Sequence, residues 1–261
     1  MSPEPTPKIE KALKLDYDKG RDDIWLTEQN SLRKLIGVLG MLLPLLLFLF
    51  VFISDGHDKP LYSISHYYFT RASSVFVIVV SLLAIFLLIY KGKDLVDFIL
   101  SSSAGIFALC LLVFPTSNIT RKCRDEEHLY SITILNDSQL RTDFHYFSAA
   151  VFLGCLAYMS LFIFTRSDKP PQLRGAQKKN RNRVFRTCGI IMILAIMVVA
   201  ANFVGIISDE IFEKYHLTFW MEAVAIESFG LAWLTKAEVI FRDSIPPEER
   251  SLAIPEERKT A

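Results

Sequence analysis

The stretch that decides the fold runs from Phe219 to Lys236, FWMEAVAIESFGLAWLTK. It is apolar over most of its length, and roughly 20 such residues cross about 30 Å of hydrocarbon as a helix. Glu222 and Glu227 interrupt it. A carboxyl at membrane depth is costly unless it is paired, neutralised or wetted, so position alone makes each a functional candidate.

Outward from this segment the same block pattern recurs. Apolar blocks fall at about 35–54 (LIGVLGMLLPLLLFLFVFIS), 72–90, 95–115, 145–165, 187–207 and 218–237. The chain has 261 residues, is 51% apolar and carries a net charge of only +1. A soluble chain would spread its apolar residues at periods of 3.6 or 2, not gather them in blocks. The expected fold is therefore all-α, a polytopic membrane bundle of six transmembrane helices over 35–237. A polar tail, 1–34, precedes it, and a charged, Pro-bearing tail, 238–261, follows, expected to be mostly disordered. The polar start is the wrong pattern for a cleavable signal peptide, so the first block should remain as an anchor. Pro44 sits within that block and should kink it. The connection KGKD is so short that spans two and three must be antiparallel neighbours. Small residues four apart (Ser101 and Gly105, Ala104 and Ala108, Ala150 and Gly154, Ala201 and Gly205) are expected to let helices approach closely.

Lysine and arginine set the orientation. With six spans, 22 of the 29 fall on the side of the two termini, which places both termini in the cytoplasm. Eight lie in the 166–186 stretch between spans four and five, where they would attract anionic inner-leaflet lipid. A loop tethered at a membrane is a poor nucleic-acid binder, and none is expected as a partner. Asp97 lies close enough to this face to be solvated or to pair with Lys93. The sequons at Asn118 and Asn136 both fall in the exterior 116–144 loop, so each is a candidate glycosylation site. Of four cysteines, Cys110, Cys155 and Cys188 lie in apolar blocks and Cys123 in that loop, with no CxxC. No disulfide framework follows, and Cys123 is expected as a free thiol. The location is an integral membrane, plasma membrane or endomembrane in a eukaryote and inner membrane in a bacterium.

All five histidines, at 57, 66, 128, 145 and 216, fall on the exterior side. His66, His145 and His216 stand at the exterior starts of spans two, four and six. Glu222 lies one to two turns below His216, and Asn202 on span five has a similar depth. Three readings follow. His66, His145 and His216 with Glu222 form a candidate zinc site with an open position for water, although no HExxH spacing ties them together. Ser65 or Ser63 with His66 or His145 forms a candidate hydrolase pair for lipid headgroups, with Glu222 as a further catalytic candidate, although no nucleophile elbow is present. The third reading makes these residues interfacial anchors without cofactor or catalysis. The ligand-binding candidates are Glu222, Glu227, Asn202 and His216. The two glutamates are five residues apart, about 140° around a helix, and Glu227 is about 7–8 Å deeper. Glu222 is the stronger functional candidate. Glu227 reads as a buried hydrogen-bonded strut or as part of a relay in a proton-coupled transporter.

Several short motifs carry a resemblance. They are Pro60-Leu61-Tyr62-Ser63-Ile64-Ser65 before span two, His145-Tyr146-Phe147-Ser148-Ala149 opening span four, Glu222 and Glu227 in span six, and Phe241-Arg242-Asp243 after it. Over about residues 35–243 the chain resembles the superfamily of damage-regulated autophagy modulators and related six-span proteins of GPI-anchor lipid remodelling, and also uncharacterised bacterial six-span proteins. The resemblance implies a six-helix fold and a lipid-linked role, and it assigns no catalytic residue. The expected function is to bind or organise lipid, or a membrane-protein partner, without catalysis. A lipid-remodelling hydrolase and a small-solute transporter are the alternatives.

Overall fold

A computed structural model describes residues 29–90, 92, 94–119, 131–167 and 175–241. The parts of the expected tails at 1–28 and 242–261 lie outside this set, as do Cys123, His128 and Lys93. The described residues are all-helical apart from loops and one isolated bridge, Thr70 to Ser131. The helices are α1 (Gln29–Asp55), α2 (Ser73–Ile89), α3 (Leu95–Val113), α4 (Gln139–Tyr158), α5 (Ala176–Phe203), the short α6 (Asp209–Lys214) and α7 (Leu217–Lys236). A 3-10 turn, Ile64–Phe69, precedes α2, and α4 runs on into a π turn, Met159–Ile163.

Five of these helices are long and apolar enough to cross a membrane: Asn30–Asp55, Leu95–Val113, Gln139–Ile163, Ala176–Phe203 and Leu217–Lys236. The sixth, Ser73–Ile89, is as apolar but has 17 residues, about 25 Å of helix. Large apolar side chains point outward along them, among them Leu45, Phe52, Ile78, Ile106 and Met197. Small or polar residues such as Ser101, Ala104 and Ala108 are buried. That inverts the water-soluble pattern.

Each long helix packs on the next in sequence, and α7 returns to close a ring against α1. Glycine makes that closure possible. A Cβ on Gly37 would stand 2.9 Å from the Gly230 carbonyl oxygen, and one on Gly230 would stand 2.7 Å from that of Gly37. The expected small-residue contacts are found between α2 and α3, where a Cβ on Gly105 would stand 2.8 Å from the Ala84 carbonyl oxygen. They are not found at Gly154, around which a Cβ would meet nothing within 4 Å. Gly205 has a different task. At φ +78 it ends α5, its N–H donating to the Asn202 carbonyl (2.9 Å) while Ile206 N–H donates to that of Ala201 (2.8 Å).

Boundaries differ from the apolar blocks at several points, beginning with α1, which starts at Gln29 inside the stretch expected as tail. Helix α4 starts at Gln139, not near His145, because Ser138 caps it by accepting from Arg141 N–H at 3.3 Å. His145 therefore lies well inside the helix, about 9 Å along it. Much of the basic 166–186 stretch is helical: α5 starts at Ala176, and its first turns carry Lys178, Lys179, Arg181, Arg183 and Arg186. Residues Glu238–Phe241 are folded on to α5, where the buried Arg181 donates to the Phe241 carbonyl (2.7 Å) and pairs with Glu238 (3.5 Å).

The ring has two ends. The tail end, where α1 starts and α7 finishes, is filled by aromatic rings. Trp233 packs edge-on against Tyr90 and Phe164, at centroid distances of 4.9 and 5.3 Å. Beside them Arg166, after α4, pairs with Asp97 of α3 at 3.0 Å and with Asp94 at 2.9 Å. Asp97 is buried against this guanidinium, so solvation is not how its charge is met. The loop end, where α1 finishes and α7 starts, is less completely filled.

Candidate functional site

The loop end is organised by Leu61–Thr70. Tyr62 lends its carbonyl to Phe219 N–H (3.0 Å), which satisfies a donor in the first turn of α7 that has no partner within the helix. Two residues on, Ile64 N–H donates to Glu222 Oε2 at 2.6 Å. The carboxyl that interrupts the last apolar segment is thus tied to the backbone of the Tyr62-Ser63-Ile64-Ser65 motif. Ser63, in extended conformation, leads into the 3-10 turn and places its Oγ 2.6 Å from His66 Nδ1. The Tyr62 ring meets the His66 ring edge-on at 5.5 Å. Thr70 then donates to the Tyr67 carbonyl (2.9 Å) and accepts from Ala72 N–H (3.1 Å), starting α2.

A cavity of about 400 Å³ opens between α4, α5 and α7. Its walls are mostly apolar and mix large side chains such as Phe147, Leu153 and Met221 with small ones: Ala149 and Ala150 on α4, Ala195 and Ala200 on α5, Ala225 on α7. Larger side chains at these positions would fill the gap. Asp143, Tyr146, Asn202, Thr218 and Glu222, the polar members, all lie near the loop ends of their helices. Among the described residues the lining holds two carboxyl side chains and no lysine, arginine or histidine. Glu222 also borders a small cavity of about 50 Å³ that includes Ser65, on the side toward α2 and α3.

The sequence candidates are distributed unevenly around this space. Glu222 and Asn202 line the cavity, but the Asn202 amide donates to the Ile207 carbonyl (3.1 Å) and to Asp209 Oδ1 (2.8 Å), bracing the α5–α6 turn. His145 is buried and donates from Nδ1 to the Phe114 carbonyl at 2.8 Å, clipping α4 to the end of α3. His66 is buried against Ser63, and His216 opens α7 in a left-handed conformation, φ 48. Neither Ser63 nor any of the described histidines lines the cavity. Among the described residues no three His, Cys, Asp or Glu side chains are grouped so as to hold a metal ion. Glu227 lies two residues past Ala225, about 160° around α7 and away from the cavity. It shares an outward-facing row with the exposed Trp220 and Val224, and has no hydrogen bond or ion pair among the described residues. It is therefore not the hydrogen-bonded strut expected.

Of the two sequons, Asn136 is exposed. Asn118 is buried, its amide donating to the Leu135 carbonyl (2.7 Å) and to Asp137 (3.2 Å), so it clips the loop together. The sequence marks neither Asp143 nor Thr218 as a site residue, and it marks Tyr146 only as part of the motif that opens span four. The Ser138 cap was the available signal for Asp143, because it moves the start of α4 back far enough to include it. Compared with protein-family models, with curated proteins and with solved structures, the chain matches none of them.

Proposed function

We propose that this chain is a six-span integral membrane protein, with both termini cytoplasmic, that holds an amphiphile in the α4–α5–α7 cavity without turning it over. The observation that carries this reading is the cavity itself: about 400 Å³, apolar in its walls and polar at one end. Ligand sites fall in this size range and have this division of chemistry. The polar end would meet headgroups of the outer leaflet, and the alanine-lined part an acyl chain. The ring of apolar helices and the lysine and arginine bias support the six-span topology. The residues behind the resemblance to lipid-remodelling proteins support the site, since Tyr62–Ser65 is the segment that orients Glu222. On the opposite face the exposed Lys179, Arg183 and Arg186 of α5 would engage anionic inner-leaflet lipid.

The test is native mass spectrometry of protein extracted into nanodiscs, comparing wild type with Ala150→Phe. Ala150 is exposed and lines the cavity, so a phenyl group enters it without disturbing packed neighbours. Wild type should retain a co-purifying amphiphile and the variant should lose it with unchanged thermal stability. Equal retention by both would refute the site. A hydrolase reading has one observation in its favour, the Ser63–His66 pair at 2.6 Å. It predicts release of acyl product from added lipid, abolished in Ser63→Ala.

A further inference from the structure

The chemistry of the cavity mouth narrows the ligand, and this step rests on the amphiphile reading above. Asp143 and Glu222 are the carboxyl side chains among the described residues of the lining. Each is oriented by one donor: Gln139 Nε2 to Asp143 Oδ1 at 2.7 Å, and Ile64 N–H to Glu222 Oε2 at 2.6 Å. Neither bond uses the second oxygen of its carboxyl. Aromatic rings stand beside them. Tyr146 of α4 meets Phe203 of α5 edge-on at 6.0 Å, and Tyr62 completes the rim. With no lysine or arginine among the described residues of the lining, a phosphate or carboxylate headgroup would find no counter-charge there. A cation would meet two carboxyl groups and the neighbouring rings of Tyr62, Tyr146 and Phe203, the surroundings in which ammonium groups are recognised.

We propose that the cavity takes an amphiphile with a cationic ammonium head, an alkylamine or a quaternary alkylammonium, seated between Asp143 and Glu222 with its chain along α4 and α5. Charge complementarity selects this occupant over a phospholipid or a fatty acid, while the walls accept any of their chains equally.

The probe is a photoreactive dodecylamine carrying a diazirine on its chain, added to the full-length protein in phosphatidylcholine nanodiscs. Labelled peptides should map to the α4, α5 and α7 walls. An excess of dodecylamine or dodecyltrimethylammonium should abolish labelling, while dodecanol and dodecanoate should compete at least about tenfold more weakly. In Glu222→Gln, whose amide oxygen still accepts from Ile64, the preference for amine over dodecanol should fall by about tenfold with dodecanol binding unchanged. Equal competition by dodecanol and dodecylamine would overturn the cationic head while leaving the amphiphile site intact. So would a preference that survives both Glu222→Gln and Asp143→Asn. No labelling of the cavity walls by any probe would overturn the amphiphile reading itself.

Discussion

At the tail end of the ring, Trp233 is fully buried among Tyr90, Phe164 and Phe229, whereas at the loop end alanines at 149, 150, 195 and 225 leave a cavity of about 400 Å³. Both ends carry charge, but they treat it differently. At the tail end Asp97 is closed against Arg166, and Arg181 against Glu238. At the loop end Asp143 and Glu222 face the open space. The same ring of helices therefore becomes a plug where side chains are large and charges are paired. It becomes a receptacle where alanines line part of the wall and, among the described residues, the lining holds two carboxyl side chains and no basic one.

The sharpest way to break this contrast is Trp233→Ala. If the tail end is close-packed, removing the indole leaves a void its neighbours cannot fill, at a cost of about 3–5 kcal/mol. Reversible unfolding in bicelles should show this loss, with amphiphile retention unaffected in the protein that remains folded. A loss below about 1 kcal/mol would mean that the tail end is as loosely filled as the loop end.

Much of this contrast was hidden in the sequence for physical reasons. The apolar blocks were plain, because hydropathy over a membrane's thickness is a local property. The separation of Glu222 from Glu227 was also legible, since a five-residue step turns one of them away from the other. The cavity was not. Alanine scores as apolar whether it packs against a neighbour or leaves a gap, so Ala150 and Ala225 look like any other residue of their blocks. The Asp97–Arg166 pair joins residues 69 apart in sequence. In the sequence the cation nearest to Asp97 is Lys93. The α1–α7 crossing at Gly37 and Gly230 is not legible in the sequence for the same reason, because each glycine acquires its role from the other helix.

An intermediate effect is expected from Asp97→Asn. The carboxyl is buried, but Arg166 is 43% exposed, so water already weakens the pair. The cost should be about 1–2 kcal/mol, below that of breaking a fully buried ion pair. A double-mutant cycle with Arg166→Gln should return a favourable coupling energy. Strict additivity would show that Asp94, the other partner of Arg166, accounts for the contact alone.

The smallest effect, and the one that best separates the two glutamates, is expected at Glu227→Leu. Glu227 faces outward with Trp220 and Val224, has no partner among the described residues and is turned away from the cavity. In the proposed six-span orientation it presents a carboxyl to hydrocarbon, where leucine is the cheaper side chain by up to about 2 kcal/mol. The variant should be as stable as wild type or more so, and should bind dodecylamine equally well. Glu222→Leu should instead lose binding and leave the Ile64 N–H without an acceptor. If Glu227→Leu destabilises the protein, or dissociates an assembly seen for wild type by light scattering, then Glu227 has a partner on another chain. The outward row of α7 would then be an interface, not a lipid-facing surface.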